Sequence, residues 1–451
     1  MAAEPEPAPP MPADAPARVH LISLGCPRNT VDSERMLGLL QGSAYEITDD
    51  PEQADVVVVN TCGFIGPAKE ESIETVMAAH RLKQTGRCRA VIVTGCLATR
   101  YETELKEELV EADRLLTIAQ ESDIVGQVDA ALGRAPRPQS RPPQRVGLTP
   151  KHWAYLRISD GCDHQCAFCA IPGIRGRHRS EPLDRLVDEA ERLVAAGVRE
   201  LVLVSQDAMR YGADLEGRPR LAALLRRLAA VPGVDWLRLM YTYPAFWTDE
   251  LIDVFASEPR LCAYIDMPLQ HISDAVLRRM KRATTRAQTT QLLARLRGAL
   301  PKAGFRSTFI VGFPGETEAQ FEELLEFVAA ARFDHVTGFT FSPEEGTLAA
   351  RLDGQVPPEV AVERYARLTE VQERVSAEIN ADLVGSRRVV LIDDRDEAAA
   401  IALGRLERDA PEIDGQVMVT DTQAGPGQFV DVEITSGYAY EVTGRAVGAP
   451  R

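Results

Sequence analysis

Three cysteines fall within eight positions of one another in GCDHQCAFC, residues 161 to 169: Cys162, Cys166 and Cys169. Three thiols so close together are too many for chance burial, and they follow directly on an apolar run, AYLRIS. A CxxxCxxC loop can wrap one corner of a cubane iron-sulfur cluster, giving three irons a thiolate ligand and leaving the fourth iron open to a substrate. Tetrahedral structural zinc wants a fourth nearby Cys or His, and none follows at ordinary spacing; His164, inside the loop, is the residue that competes for that role.

A second set is dispersed: Cys26 in SLGCPRNTVDSE, Cys62 in VNTCGFIGPAKEES and Cys96 in VTGCLATRY. Each follows directly on a predicted strand. In a parallel sheet the C-terminal strand ends face one side, so these three cysteines should converge despite their separation in sequence, in a geometry that suits a second cluster. Gly25, Pro27, Gly63 and Gly95 stand beside them, and the glycines let backbone approach a bulky inorganic ligand. Of the eight cysteines, two remain. Cys88 precedes its strand and is expected at the opposite end of the sheet, as a non-ligand; Cys262 opens an apolar strand and reads as core packing.

The elements that must position these residues alternate. RVHLISLG, DVVVVNTC and AVIVTGC are each followed by a helical pattern, which predicts an N-terminal parallel α/β domain over residues 18–133. Residues 134–150, rich in Pro and Arg, read as a linker. Six further strands are expected near 153–159, 199–205, 234–240, 261–267, 305–311 and 334–340, giving a partial (β/α)6 barrel over 151–383. From 384 to 448 the pattern changes to short β-rich segments broken by Gly and Pro, as in a small β-barrel. Residues 1–17, with six prolines, read as a disordered tail.

A chain of 451 residues exceeds one hydrophobic core and predicts about three domains at ~150 residues each. Its formal net charge of −16 repels phosphate backbones and favours a basic partner, so strong nucleic-acid binding is not expected. The segment 385–451 carries 7 Arg against 12 Asp plus Glu, whereas an RNA-gripping module should be basic. No apolar run approaches the ~20 residues of a membrane span, and the N-terminus lacks the apolar stretch of a signal peptide. A cytoplasmic location and no membrane partner are the expectation.

Several polar residues stand at predicted strand ends, where a barrel of this type builds its site. Ser205, Gln206 and Asp207 follow LVLV, Gln270 and His271 follow YIDMPL, and Gly312, Pro314 and Gly315 form the turn in FIVGFPGET. Glu344 and Glu345, in SPEEGT, follow the last barrel strand. With Gln270 and His271 they are candidates for the place where substrate arrives; a structural role for His271 competes equally.

Two three-cysteine sets, an α/β domain, a partial barrel and a β-rich tail together resemble the radical S-adenosylmethionine methylthiotransferase family over nearly the whole chain. The segments SLGCPRNTVDSERMLG, NTCGFIGPAKEESI, CDHQCAFCAIPGIRG, PLQH, GFPGETE, SPEEGTLA and DAPEIDG are similar to the branch that modifies ribosomal protein uS12. The tail is similar to a TRAM domain. The resemblance implies two 4Fe-4S clusters and S-adenosylmethionine, with Phe168 beside the adenine and the GFPG turn against the adenosine. It implies β-methylthiolation of an aspartate of uS12, and needs an external electron donor and a sulfur source. After GRHRS the family usually continues with Arg, where this chain has Glu181; no cluster ligand is affected. The alternatives are methylthiolation of an adenosine of transfer RNA, against which the charge and the SPEEGT and DAPEIDG motifs argue, and a non-catalytic electron carrier, which leaves the open-iron motif unexplained.

Overall fold

In a computed structural model, residues 16–137 and 144–451 are described. The predicted tail lies outside them except for Pro16 and Ala17, and Ala17 is fully buried. The described residues form two compact units, 16–137 and 144–148 with 170–176, and 149–169 with 177–451.

The first unit is built on a five-stranded parallel sheet: β1 (Arg18–Ser23), β2 (Glu46–Ile47), β3 (Val56–Thr61), β4 (Ala90–Gly95) and β5 (Arg114–Leu115), in the order β2-β1-β3-β4-β5. VVVVNT and AVIVTG are buried at every residue, the continuous apolar run expected of strands covered on both faces. Helices Pro27–Gly42 and Gly66–Thr85 each carry Pro at the first turn, where its missing N–H costs nothing. The second half of the expected linker is tied down. Leu148 N donates to Glu34 Oε1 at 2.7 Å, Arg145 pairs with Glu34, and Val146 packs against the core.

In the second unit all six expected barrel strands are present: β6 (Trp153–Arg157), β9 (Glu200–Val204), β10 (Trp236–Leu239), β11 (Tyr264–Asp266), β12 (Gly304–Val311) and β13 (His335–Thr340). They pair in parallel as β6-β9-β10 and β11-β12-β13, and a bridge from Leu237 to Leu261 links the two halves. A short antiparallel pair, β7 (Ser159–Asp160) with β8 (Arg179–Ser180), flanks the CxxxCxxC loop. Strands β14 (Arg387–Asp396), β15 (Ile401–Leu406), β16 (Gln416–Thr420), β17 (Phe429–Gly437) and β18 (Glu441–Ala446) close a small barrel in the order β14-β15-β16-β18-β17. The architecture is therefore α/β with a terminal β-barrel.

The DAPEIDG segment was weighed as a mark of the substrate, but it plugs the N-terminal end of the large barrel, away from the strand ends expected to carry chemistry. Asp409 receives His335 Nε2 at 2.9 Å, Glu412 receives the Tyr155 hydroxyl at 2.9 Å, and Asp414 receives the Tyr264 hydroxyl at 2.6 Å and Arg306 Nη1 at 2.8 Å. Beside them Arg238, wholly buried, donates to Glu200 at 2.7 Å and to the Glu407 carbonyl at 2.7 Å, while Arg405 lies 2.8 Å from the other Glu200 oxygen. Cys262 is buried beside this ionic group, and burial pushes its thiol well up.

Removing one member of such a network strands the other in a low dielectric. Arg238→Met should cost about 3–5 kcal/mol in chemical denaturation. Burial alone would lower the His335 pKa, but Asp414 and Asp409 outweigh it and raise it above 6.5. Its stabilisation is fully present below the ordinary value and lost as pH rises through the folded one. Thermal midpoints across this range should therefore fall toward alkaline pH, and His335→Gln should remove that part of the slope.

Candidate active site

Cys26, Cys62 and Cys96 all lie at the C-terminal edge of the first sheet, just past β1, β3 and β4. Cys26 caps helix Pro27–Gly42 in an extended conformation, and Cys96 opens helix Cys96–Arg100. Glycine is required where the three turns meet. A Cβ on Gly25, whose φ is +86°, would stand 2.8 Å from Cys62 Cβ and 3.0 Å from its Sγ. A Cβ on Gly63 would fall 2.6 Å from Leu97 Cα and 3.0 Å from the Cys96 carbonyl carbon. Asn29, fully buried, ties the turns together: its Nδ2 donates to the carbonyls of Leu24 at 3.0 Å and Thr61 at 2.9 Å, and the Cys96 thiol donates to its Oδ1 at 3.5 Å.

The three thiols differ electrically. Burial pushes Cys96 up to about 12, with Cys26 and Cys62 adding to the rise, and burial raises Cys62, with Cys26 adding to it. Burial acts the same way on Cys26, but Arg28, Arg175 and the backbone amides of Asn29 and Arg28 reverse it and hold Cys26 below its ordinary value. Cys88 packs among Ala54, Val57 and Val91 ahead of β4, at the other end of the sheet, as expected.

In the barrel, Cys162, Cys166 and Cys169 are half-buried. The Ala167 N–H is anchored on the Met280 carbonyl, and the Ala167 carbonyl receives Ala349 N–H at 2.8 Å. His164 Nε2 meets Asp207 at 2.7 Å and its ring stacks on Tyr243 at 4.2 Å. Among the described residues no three His, Cys, Asp or Glu side chains are arranged to hold a metal ion. Arg282, unforeseen, approaches Cys166 Sγ at 3.7 Å and lies over the Tyr243 ring. No local pattern marked it, whereas Tyr243 stands in YTYP after β10 and was open to the strand-end reading.

Phe168 packs in the cluster that holds Phe313, Ala349 and Met280, against the GFPG turn. That turn is clamped by Glu316, whose carboxylate accepts the Gly312 and Phe313 amides. The glycines there answer to protein packing: a Cβ on Gly312 would stand 2.5 Å from Ala361 Cβ, and one on Gly315 2.8 Å from the Arg279 guanidinium. Gln206 Nε2 donates to Asp160, while its Oε1 is buried without a partner among the described residues. Such an orphaned acceptor, beside buried Ser205, fits a polar ligand at this strand end.

One expectation for the arrival of substrate needs correction. Glu344 is buried, folded back onto Ser342, whose hydroxyl donates to it at 2.7 Å; of the pair only Glu345 is exposed. His271 is also buried, its Nε2 3.5 Å from Glu316 and its Nδ1 facing the Ser273 amide at 2.9 Å. Gln270 adopts φ +75° and bridges to β12 through its backbone.

Three models match consecutive parts of the chain: Uncharacterized protein family UPF0004 over residues 18–117, the Radical SAM superfamily over 156–328 and the TRAM domain over 384–447. The ribosomal protein uS12 methylthiotransferase RimO of Anaeromyxobacter sp. (strain Fw109-5) is 47% identical over 440 residues, 96% of this chain and 94% of that protein. The protein of the same name from Geobacter sulfurreducens is 43% identical over 445 residues, 96% of this chain and all of its own length. The chain belongs to the RimO methylthiotransferase family. As a RimO-family protein it is a radical S-adenosylmethionine enzyme, and that chemistry brings a 4Fe-4S cluster and S-adenosylmethionine. The radical S-adenosylmethionine methyltransferase TsrM of Kitasatospora setae, with 15% identity and a TM-score of 0.52 over 83% of this chain and 79% of its own, shares the fold.

The meeting of the cysteine turns leaves no room for a side chain at Gly25. Gly25→Ala should destabilise the first unit by about 1–3 kcal/mol through its left-handed φ and the clash with Cys62, measured by denaturant titration of the full chain.

Proposed function

We propose that the protein carries two 4Fe-4S clusters, on Cys162, Cys166 and Cys169 and on Cys26, Cys62 and Cys96, and β-methylthiolates an aspartate of ribosomal protein uS12. The observation that carries this reading is that one chain presents two thiol trios, each following the C-terminal ends of parallel strands. Relatives sharing nearly half its residues bear the name of that substrate. Bound there, the cofactors supply one-electron cleavage of S-adenosylmethionine and a transferable sulfur.

The chain's own residues shape the rest. Phe168, packed on the buried Phe313, offers an apolar face for a flat ligand, and Ser205 and Gln206 offer polar contacts beside it. Gly312, Pro314 and Gly315 contribute the clamped turn at the same strand end. The −16 charge and exposed Glu345 favour a basic protein partner over RNA, with association that weakens as salt rises. No helix among the described residues is long and apolar enough to cross a membrane. Work on a ribosomal protein belongs in the cytoplasm, with an external electron donor and a sulfur source.

Changing Cys162, Cys166 or Cys169 to Ala should abolish 5′-deoxyadenosine formation in the anaerobically reconstituted enzyme. Replacing Cys26, Cys62 and Cys96 should leave that cleavage in place and remove methylthio product, with Cys88→Ala behaving as wild type. Incubation with uS12 and with transfer RNA in parallel, followed by mass spectrometry, tests the substrate: an adduct on a nucleoside with none on an aspartate overturns it.

A further inference from the structure

The run AIPGIRG follows immediately on Cys169, yet residues 170–176 belong to the N-terminal unit. They form a short helix, Ile171–Arg175, that packs on helix Cys96–Arg100. Its last residue, Arg175, has a side chain only 1% exposed. Nη2 donates to Asn29 Oδ1 at 2.6 Å and to Asp32 Oδ2 at 2.9 Å. Asn29 Oδ1 is the same atom that receives the Cys96 thiol. The Asn29 backbone amide in turn donates to the Cys26 carbonyl at 2.9 Å, so the guanidinium is tied through Asn29 to both cysteine turns.

An arginine desolvated this completely is costly unless something beyond one carboxylate uses its charge. Beside its place in the last turn of its own helix, the guanidinium stands next to the Asn29 side-chain amide that the Cys96 thiol shares. We propose that Arg175 is a positioning residue of the Cys26–Cys62–Cys96 site: it fixes Asn29 and Cys96, and its charge raises the reduction potential of the cluster held there. This rests on the reading that the trio holds a cluster. A fixed cation favours the more negative, reduced form, and hydrogen bonds and net charge around the sulfurs are the protein's means of setting a cluster's potential. Asp32, paired with the guanidinium, moderates the effect.

The test uses the full chain with Cys162, Cys166 and Cys169 all changed to Ala, so that only the trio binds iron. Iron content and the midpoint of the reconstituted cluster are read by redox titration with electron paramagnetic resonance. Against this parent, Arg175→Gln should shift the midpoint to lower potential, Arg175→Lys should restore much of the shift, and Asp32→Asn should move it the opposite way. A purely structural arginine gives loss of iron in all three variants or no shift in any, and either result overturns the proposal. Should Arg175→Gln not fold, the opposite shift in Asp32→Asn still decides, since that variant keeps the arginine. A parent that binds no iron overturns the underlying cluster reading and this inference with it; a parent with a cluster whose midpoint ignores both charge changes overturns this inference alone.

Discussion

Strand direction is the constraint on which everything else hangs. β1 to β5, and the six strands of the large barrel, run parallel within their sheets, so each sheet has one edge at which every strand arrives and a helix departs. Cysteines placed one after each of β1, β3 and β4 must therefore meet, however far apart they lie in sequence. The same rule brings Phe168, Gln206 and the GFPG turn to one end of the barrel. What strand direction does not supply is closeness, and the left-handed Gly25 and the Gly63 contact with Leu97 provide it.

Much of this was legible because the informative residues are the ones periodicity reports. Continuous runs such as VVVVNT can only be buried strands, and all six barrel strands fell within a few residues of their expected positions. Side chains that double back were not legible. Glu344 in SPEEGT reads as an exposed acid, but the turn that closes through Ser342 and Thr347 buries it, and composition carries no sign of such a turn. The acids of DAPEIDG give no local sign of burial either, because their partners, Tyr155, Tyr264, Arg306 and His335, lie one per strand over four strands. Only the assembled barrel brings those four together. Arg175 was in view within CAIPGIRG, and local pattern gave no hint that it turns toward another cysteine set.

The base of the large barrel is closed by ions where an apolar plug would be at least as stable. Arg238 and Arg405 share Glu200, and Arg306 lies between Asp414 and Asp266. Burial drives the Asp266 carboxyl up to about 6 against the pull of Arg306, a measure of how dry this region is. Hydrogen bonds with fixed directions are satisfied in one seating of the small barrel, while a greasy plug tolerates several. The long helix Pro358–Ala381, which packs on β13 and β17, spans the same two modules.

The order of synthesis gives that plug a further meaning. Asp409, Glu412 and Asp414 leave the ribosome after every strand of the large barrel, so Tyr155, Arg238, Tyr264 and Arg306 emerge before the acids that will face them. At about 5–20 residues per second, the nascent barrel waits roughly four to fifteen seconds after its last strand with its base open and its buried tyrosines and arginines lacking the carboxylates that will face them. A chain cut short before residue 409 would leave that base uncapped for good, and a quality-control protease would meet a barrel whose strands are formed but whose floor is wet.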